Sequence, residues 1–221
     1  MKKIHHFLKT TEGKFLSGVF AIIALLFVYY FYAMSQNSES STQKGEVTIS
    51  ESDHVRGKKD GTVTLVEFGD FQCPACGAYE PLVRQATEDN KEILKVVFKH
   101  FPLSQIHNNA LPAAIAAEAA GMQGKFWEMH DMLYDKQKDW SGSLNSRDIF
   151  LSYATTLGLD TKKFLEDMGS KEVEEKILAE YKEGTALGVQ GTPTFFINGK
   201  MIESPRSLED FDKAIIAATK K

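Results

Sequence analysis

The chain has 221 residues, of which 43% are hydrophobic and 25% charged, with a formal charge of −4 at pH 7; that is enough apolar material for a full core and excludes a disordered chain. Residues 1–14 hold Lys2, Lys3, Lys9 and Lys14 against Glu12, so the remainder is acidic, which argues against nucleic acid as a partner. Length suggests one domain, or one domain carrying an insertion, and no internal repeat is present.

The first element is apolar. From Phe15 to Met34 no residue is charged, and at about 1.5 Å per helical residue this run spans roughly 30 Å, the thickness of a bilayer core. A transmembrane signal-anchor helix is expected over 15–34. Lysines on its N-terminal side make residues 1–14 a basic cytoplasmic tail, and Tyr29, Tyr30 and Tyr32 fall where an outer interfacial belt sits. The body is then expected outside the cytoplasm, held to the cell membrane by a single pass. The competing reading is a secretory signal cleaved near Ala33 and Ser35, although the run exceeds the roughly 7–15 residues usual for one. Residues 35–52 are polar and serine-rich, with only Val47 and Ile49 available for burial, and read as a linker.

The body is expected to begin at residue 53. Thr62–Phe68 is a near-continuous apolar run, the pattern of a strand covered on both faces. A helix from Pro74 to about Glu88, kinked at Pro81, and a strand over Leu94–Phe101 complete a β-α-β unit. Residues 104–178 read as a helical insertion, with helices over Pro112–Met122, Phe126–Tyr134, Ser146–Leu157, Thr161–Met168 and Lys171–Leu187. Residues 179–221 return to the first pattern: a strand at Thr194–Ile197, a turn at Asn198-Gly199, a strand at Lys200–Ile202 and a helix capped by Ser207.

The two cysteines of the chain lie in one stretch, Cys73-Pro74-Ala75-Cys76, which points to a reversible dithiol/disulfide couple. With Cys73 as N-cap and Pro74 at the first helical position, the sulfur faces free backbone amides and the positive end of the helix. A thiolate is stabilised there, so Cys73 is the expected nucleophile and Cys76, one turn deeper, the resolving thiol. A structural disulfide and half of a metal site are the alternatives. His5, His6, His54, His100, His107 and His130 show no ligand spacing with the cysteines, so no metal is expected, and Glu80 reads as surface decoration of the helix.

Three motifs carry a resemblance: Phe68-Gly69-Asp70-Phe71-Gln72-Cys73-Pro74-Ala75-Cys76, Gly124-Lys125-Phe126-Trp127-Glu128-Met129-His130, and Gly188-Val189-Gln190-Gly191-Thr192-Pro193-Thr194-Phe195-Phe196-Ile197-Asn198-Gly199. In this order the chain resembles the DsbA-like thiol-disulfide oxidoreductases of the thioredoxin superfamily. The resemblance implies an α/β thioredoxin-like fold in two halves, residues 53–103 and 179–221, around the helical insertion. It implies that Glu67, six residues before Cys73, is a buried acid that exchanges a proton with Cys76, against the bland reading of a strand-end glutamate reaching solvent. It implies a cis Pro193 beside the cysteines with Thr192 as a substrate contact, against an ordinary trans proline opening an edge strand. Pro74 and Ala75 support the motif, yet the best-known DsbA-type oxidases have Pro-His between their cysteines, which leaves the oxidising strength open.

The function expected is disulfide introduction into secreted or cell-surface proteins with cysteine thiols; the resemblance implies that this needs no bound organic cofactor and that a membrane quinone-linked partner of the DsbB or vitamin-K-epoxide-reductase type reoxidises the protein. A reductase or isomerase using the same cysteines, and a non-catalytic metal-binding or chaperone-like module, are the alternatives.

Overall fold

The computed structural model describes residues 23, 25–30 and 45–220. The chain divides into two compact units, residues 1–43 and 44–221. In the first, Ile23 and residues 25–30 are helical with exposed side chains, and among the described residues no helix is long and apolar enough to cross a membrane. The rest of the expected anchor, the tail and residues 35–44 of the expected linker lie outside the described residues.

In the second unit five strands, β1 (Val55–Gly57), β2 (Val63–Gly69), β3 (Leu94–His100), β4 (Thr194–Ile197) and β5 (Lys200–Met201), form one sheet in the order β1-β3-β2-β4-β5. Only β2 and β3 run parallel, joined by the crossover helix α1 (Pro74–Asp89). Alternation along β2 and β4 sends side chains to two separate cores. Val63, Leu65, Phe195 and Ile197 pack with Val83 and Ala86 of α1 and with Phe211 and Ile215 of α8 (Leu208–Ala218). Val66, Phe68 and Phe196 pack on the other face with Leu187 and Val189. Covered on both sides, β2 has no polar face to offer, which is why its sequence is a continuous apolar run interrupted only by Thr64 and Glu67.

Between β3 and β4 lie α2 (Ala110–Gly121), α3 (Phe126–Asp135), α4 (Gln137–Trp140), α5 (Ser146–Thr156), α6 (Thr161–Asp167) and α7 (Lys171–Ala186). The alanines of α2 are buried nearly all round, letting neighbouring helices approach closely, and Met129, Leu133, Trp140, Phe150 and Phe164 fill the space around them. Phe71, Cys73, Cys76 and Phe98 belong to this same cluster, so the helical core is continuous with the surroundings of the thiols. Side chains of Asp160, Ser170 and Ser207 accept N–H groups at the starts of α6, α7 and α8, as N-caps should.

Two expectations change. The body begins before residue 53: Val47 is buried against the sheet, the Thr48 N–H donates to Glu183 Oε1 at 2.7 Å, and Lys99, itself buried, bridges Asp53 and Glu183 at 3.2 and 3.0 Å. Residues 45–52 are therefore held by long-range contacts, and counting apolar residues alone could not show this. Strand β1 and the single turn α4 are additional elements, too short to carry a period. Helix α7 covers Lys171–Ala186, as expected, and Gly184 near its C-terminus packs on Phe68 and Phe101. Pro81 lies inside α1, which ends at Asp89, one residue past the expected Glu88.

Candidate active site

Strand β2 ends at Gly69, and the loop that follows is fixed before the helix starts. Asp70, buried, accepts the Gln72 N–H at Oδ1 (2.7 Å) and the Leu103 N–H and His107 Nδ1 at Oδ2 (3.0 and 2.6 Å), while its carbonyl accepts the Cys73 N–H (3.0 Å). Cys73 is the N-cap of α1 with extended backbone, φ −67° and ψ 120°, and Pro74 follows at the first helical position. Its side chain makes no cap hydrogen bond to the helix; the thiol instead donates to the Thr192 carbonyl, Sγ to oxygen 3.4 Å. Both cysteines are free thiols; Cys73 is 7% exposed and Cys76 wholly buried.

The two thiols differ sharply in acidity. The Cys76 thiol donating to it, then the Thr192 hydroxyl and the N–H groups of Cys76 and Ala75, bring the Cys73 thiol from 9.0 down to about 5 against the opposing effect of burial. The Thr192 hydroxyl has no partner while Cys73 is protonated, so it is available to donate once the thiolate forms. Burial pushes Cys76 well above the ordinary thiol value, reinforced by its bond to Cys73 and by the charge of Glu67.

Glu67 lies on β2 between Phe98 of β3 and Phe195 of β4. It is 4% exposed, and Oε1 has no hydrogen-bond partner. Burial raises its carboxyl from 4.5 to about 8, with the charges of Glu80 and Cys73 adding to the rise and Arg56 opposing it. The carboxyl is protonated at neutral pH and in electrostatic contact with both thiols. The Thr192-Pro193 peptide bond is cis.

The expectation for Glu80 is overturned. It is buried, and Arg84 holds it with two bonds, Nε to Oε1 at 3.0 Å and Nη2 to Oε2 at 2.8 Å, with Arg56 Nη1 3.5 Å away. Its negative charge is one of the causes that keep Glu67 protonated. The spacing of Glu80 and Arg84 signals an ion pair, but exposed i,i+4 pairs look the same in sequence. Arg56, on β1, gave no signal. His130 is buried within an aromatic cage, 4.9 Å from the rings of Phe98 and Trp127 and 5.0 Å from Tyr134, and burial lowers it from 6.5 to about 4. Among the described residues Glu80, His130 and Asp131 could converge on a metal ion, but Arg56 and Arg84 already occupy both carboxylates, so an ion would have to displace two guanidinium groups.

The profile of the family described as Thioredoxin matches residues 49–217. The chain belongs to the thioredoxin family. Among solved structures, this family member is similar to a thioredoxin-like oxidoreductase from Silicibacter pomeroyi, with TM-score 0.67 and 27% identity over 78% of this chain and 95% of that one. It also shares its fold with oxidised BdbD from Bacillus subtilis, with TM-score 0.68 and 22% identity over 80% and 97%. The thiol-disulfide exchange protein alpha-DsbA2 from Wolbachia pipientis, at TM-score 0.66 and 22% identity over 76% and 87%, has the same fold. Curated relatives include the Na(+)/H(+) antiporter NhaA 1 of Salinispora arenicola, 42% identical over 166 residues that make up 75% of this chain and 24% of that protein, and NhaA 1 of Mycolicibacterium gilvum, 36% identical over 169 residues, 76% and 27%. The chain thus matches about a quarter of the length of those relatives.

Proposed function

We propose that this protein is an extracytoplasmic thiol-disulfide oxidase, anchored by residues 15–34, that introduces disulfides into secreted or cell-surface proteins. One observation carries the reading: at the start of α1 hydrogen-bond donors around the Cys73 sulfur bring its pKa down to about 5, while burial raises that of the Cys76 thiol beside it. Stabilising the Cys73 thiolate stabilises the dithiol form. With a pKa of about 5, this favours the dithiol at pH 7 by about 3 kcal/mol over an ordinary thiol, or about 60 mV of oxidising potential. That supports oxidation over the reverse direction.

The exchange starts from the Cys73–Cys76 disulfide. A substrate thiolate attacks the Cys73 sulfur, a mixed disulfide forms, and Cys76 leaves as a thiolate that takes up a proton. A second substrate thiolate then attacks the substrate sulfur of the mixed disulfide, and Cys73 leaves as a thiolate. The substrate loses two electrons and the protein gains them. Glu67 is the proton donor to Cys76, and the Thr192 backbone next to Cys73 is the edge on which an extended substrate segment rests. A membrane quinone-linked protein of the DsbB or vitamin-K-epoxide-reductase type would return the protein to its disulfide form.

The test is equilibration of the full-length chain with glutathione buffers, together with Cys76→Ser expressed in the native host. An oxidase shows the dithiol as its more stable form, and Cys76→Ser accumulates mixed disulfides through Cys73. A more stable disulfide form would overturn the direction. Failure to trap any protein would overturn the nucleophile.

A further inference from the structure

We infer that Gln137, at the start of α4 in the helical insertion, is a positioning residue that sets the acidity of Cys73, so the insertion tunes the thiol. The inference rests on the proposed role of Cys73 as the exchanging sulfur. Gln137 Nε2 donates to the carbonyl of Cys73 at 2.9 Å and to that of Phe71 at 2.7 Å. These carbonyls flank the last two residues of the loop before α1. The Cys73 carbonyl also accepts the Gly77 N–H at 3.1 Å, the first bond of the helix. Two donors on one carbonyl fix the peptide that follows the sulfur, and with it the directions of the Ala75 and Cys76 N–H groups that stabilise the thiolate.

The amide is placed there by structure at both ends. Trp140, fully buried, donates its indole N–H to the Leu133 carbonyl at 2.9 Å and anchors the turn that carries Gln137. On the active-site side the room is left by Gly77: a Cβ at that position would meet the Gln137 amide at 2.9 Å from Oε1 and 3.2 Å from Cδ and Nε2. A glycine inside a helix is unfavourable relative to alanine, so its presence one residue after Cys76 is accounted for by the amide it admits. Two further amides tie the same loop to the insertion. Gln72 donates to the Ser141 carbonyl at 2.8 Å and accepts the Asn109 N–H at 2.6 Å, and Asn109 donates to the carbonyls of Trp140, Ser141 and Ser143. Of these side chains, only that of Gln137 bonds to the residue bearing the nucleophile.

Two variants of the full-length chain test the inference by different routes. Gln137→Met keeps the length and packing of the side chain and removes the donors; Gly77→Ala leaves Gln137 intact and pushes its amide off the carbonyls while improving helix propensity. The Cys73 thiolate is titrated by its ultraviolet absorbance, the equilibrium constant with glutathione is measured, and urea unfolding is followed in parallel. Both variants are expected to raise the Cys73 pKa by about one unit and to lower the glutathione equilibrium constant about tenfold. A merely structural glutamine would lower stability and leave the titration alone, and Gly77→Ala would then leave the titration unchanged. If the wild-type thiol titrates near 5 and both variants do the same, the inference is overturned. If the wild-type thiol itself titrates near 9, the oxidase reading fails first, and the two failures are told apart by that one curve.

Discussion

Replacing Glu67 by glutamine isolates the cost of a buried acid from the rest of the fold. The native carboxyl holds its proton to about pH 8, whereas the unfolded chain releases it at 4.5. Between those values the native state binds one more proton than the unfolded state, so stability falls as pH rises. The Glu67 contribution is fully present below 4.5 and lost once pH passes about 8. Each pH unit in the window removes about 1.4 kcal/mol, about 5 kcal/mol in all. Glutamine has the shape of the protonated acid and no charge to lose, so Glu67→Gln and wild type should have equal stability at pH 4.5 and diverge above it, with the variant the more stable. Urea unfolding of the reduced protein at half-unit steps from pH 4.5 to 8.5 measures the difference, in which the contributions of titrating groups not coupled to Glu67 cancel. A difference that does not change with pH would refute the reasoning, because it would show that Glu67 reaches solvent or a partner in the native state.

The redox potential should fall by about 30 mV per pH unit between pH 5 and 7, one proton for two electrons, and by about 59 mV per unit below pH 5, where Cys73 is protonated as well; a single 59 mV slope through pH 7 would mean an ordinary Cys73. Lys99→Met strands the buried carboxylate of Asp53 and should cost about 3–5 kcal/mol in urea unfolding, whereas a loss below 1 kcal/mol would show that residues 45–53 are not held by this pair. Gly69→Ala would set a Cβ 2.4 Å from the Phe98 ring, next to the cysteine loop, and should cost about 1–3 kcal/mol as overpacking; an unchanged melting temperature would contradict that approach.

What could be read from the sequence is what local pattern carries. β2 and β3 are visible as apolar runs, α1 and the later helices by their period and caps, and the thiol pair by its spacing. Glu67 is legible through the resemblance, six residues before Cys73, and the structure buries it. Glu80 reads as surface decoration in the sequence because an i,i+4 ion pair has the same appearance on a buried face as on an exposed one. Arg56, which opposes the rise in Glu67, lies on a three-residue strand too short to show a pattern, and it meets Glu80 only because β1 pairs with β3. Gln137, and Asp70 in its bond to the Leu103 N–H, act through main-chain atoms far along the chain, and no spacing rule reports such bonds. The cis Thr192-Pro193 bond was expected only because the chain resembles its family.

Three acids share one small volume in the reduced site: Cys73, Cys76 and Glu67. Cys73 raises Glu67 and Cys76, and Glu67 raises Cys76, so ionising more than one is costly, and the single charge goes where donors already point. The Cys76 thiol, the Thr192 hydroxyl and two amides of α1 select Cys73. In the proposed exchange this choice also times the proton. While Cys73 is bonded to sulfur it carries no charge, and Glu67 is held protonated by burial and Glu80 but no longer by the thiolate. It is therefore a better acid at the step in which Cys76 leaves and needs a proton. When Cys73 departs as a thiolate, its charge again raises Glu67, which recovers the proton from solvent. The anion on one sulfur and the proton on the other thus have separate causes: donors lower Cys73, whereas burial and its bond to Cys73 raise Cys76, and the charge of Glu67 adds to that rise.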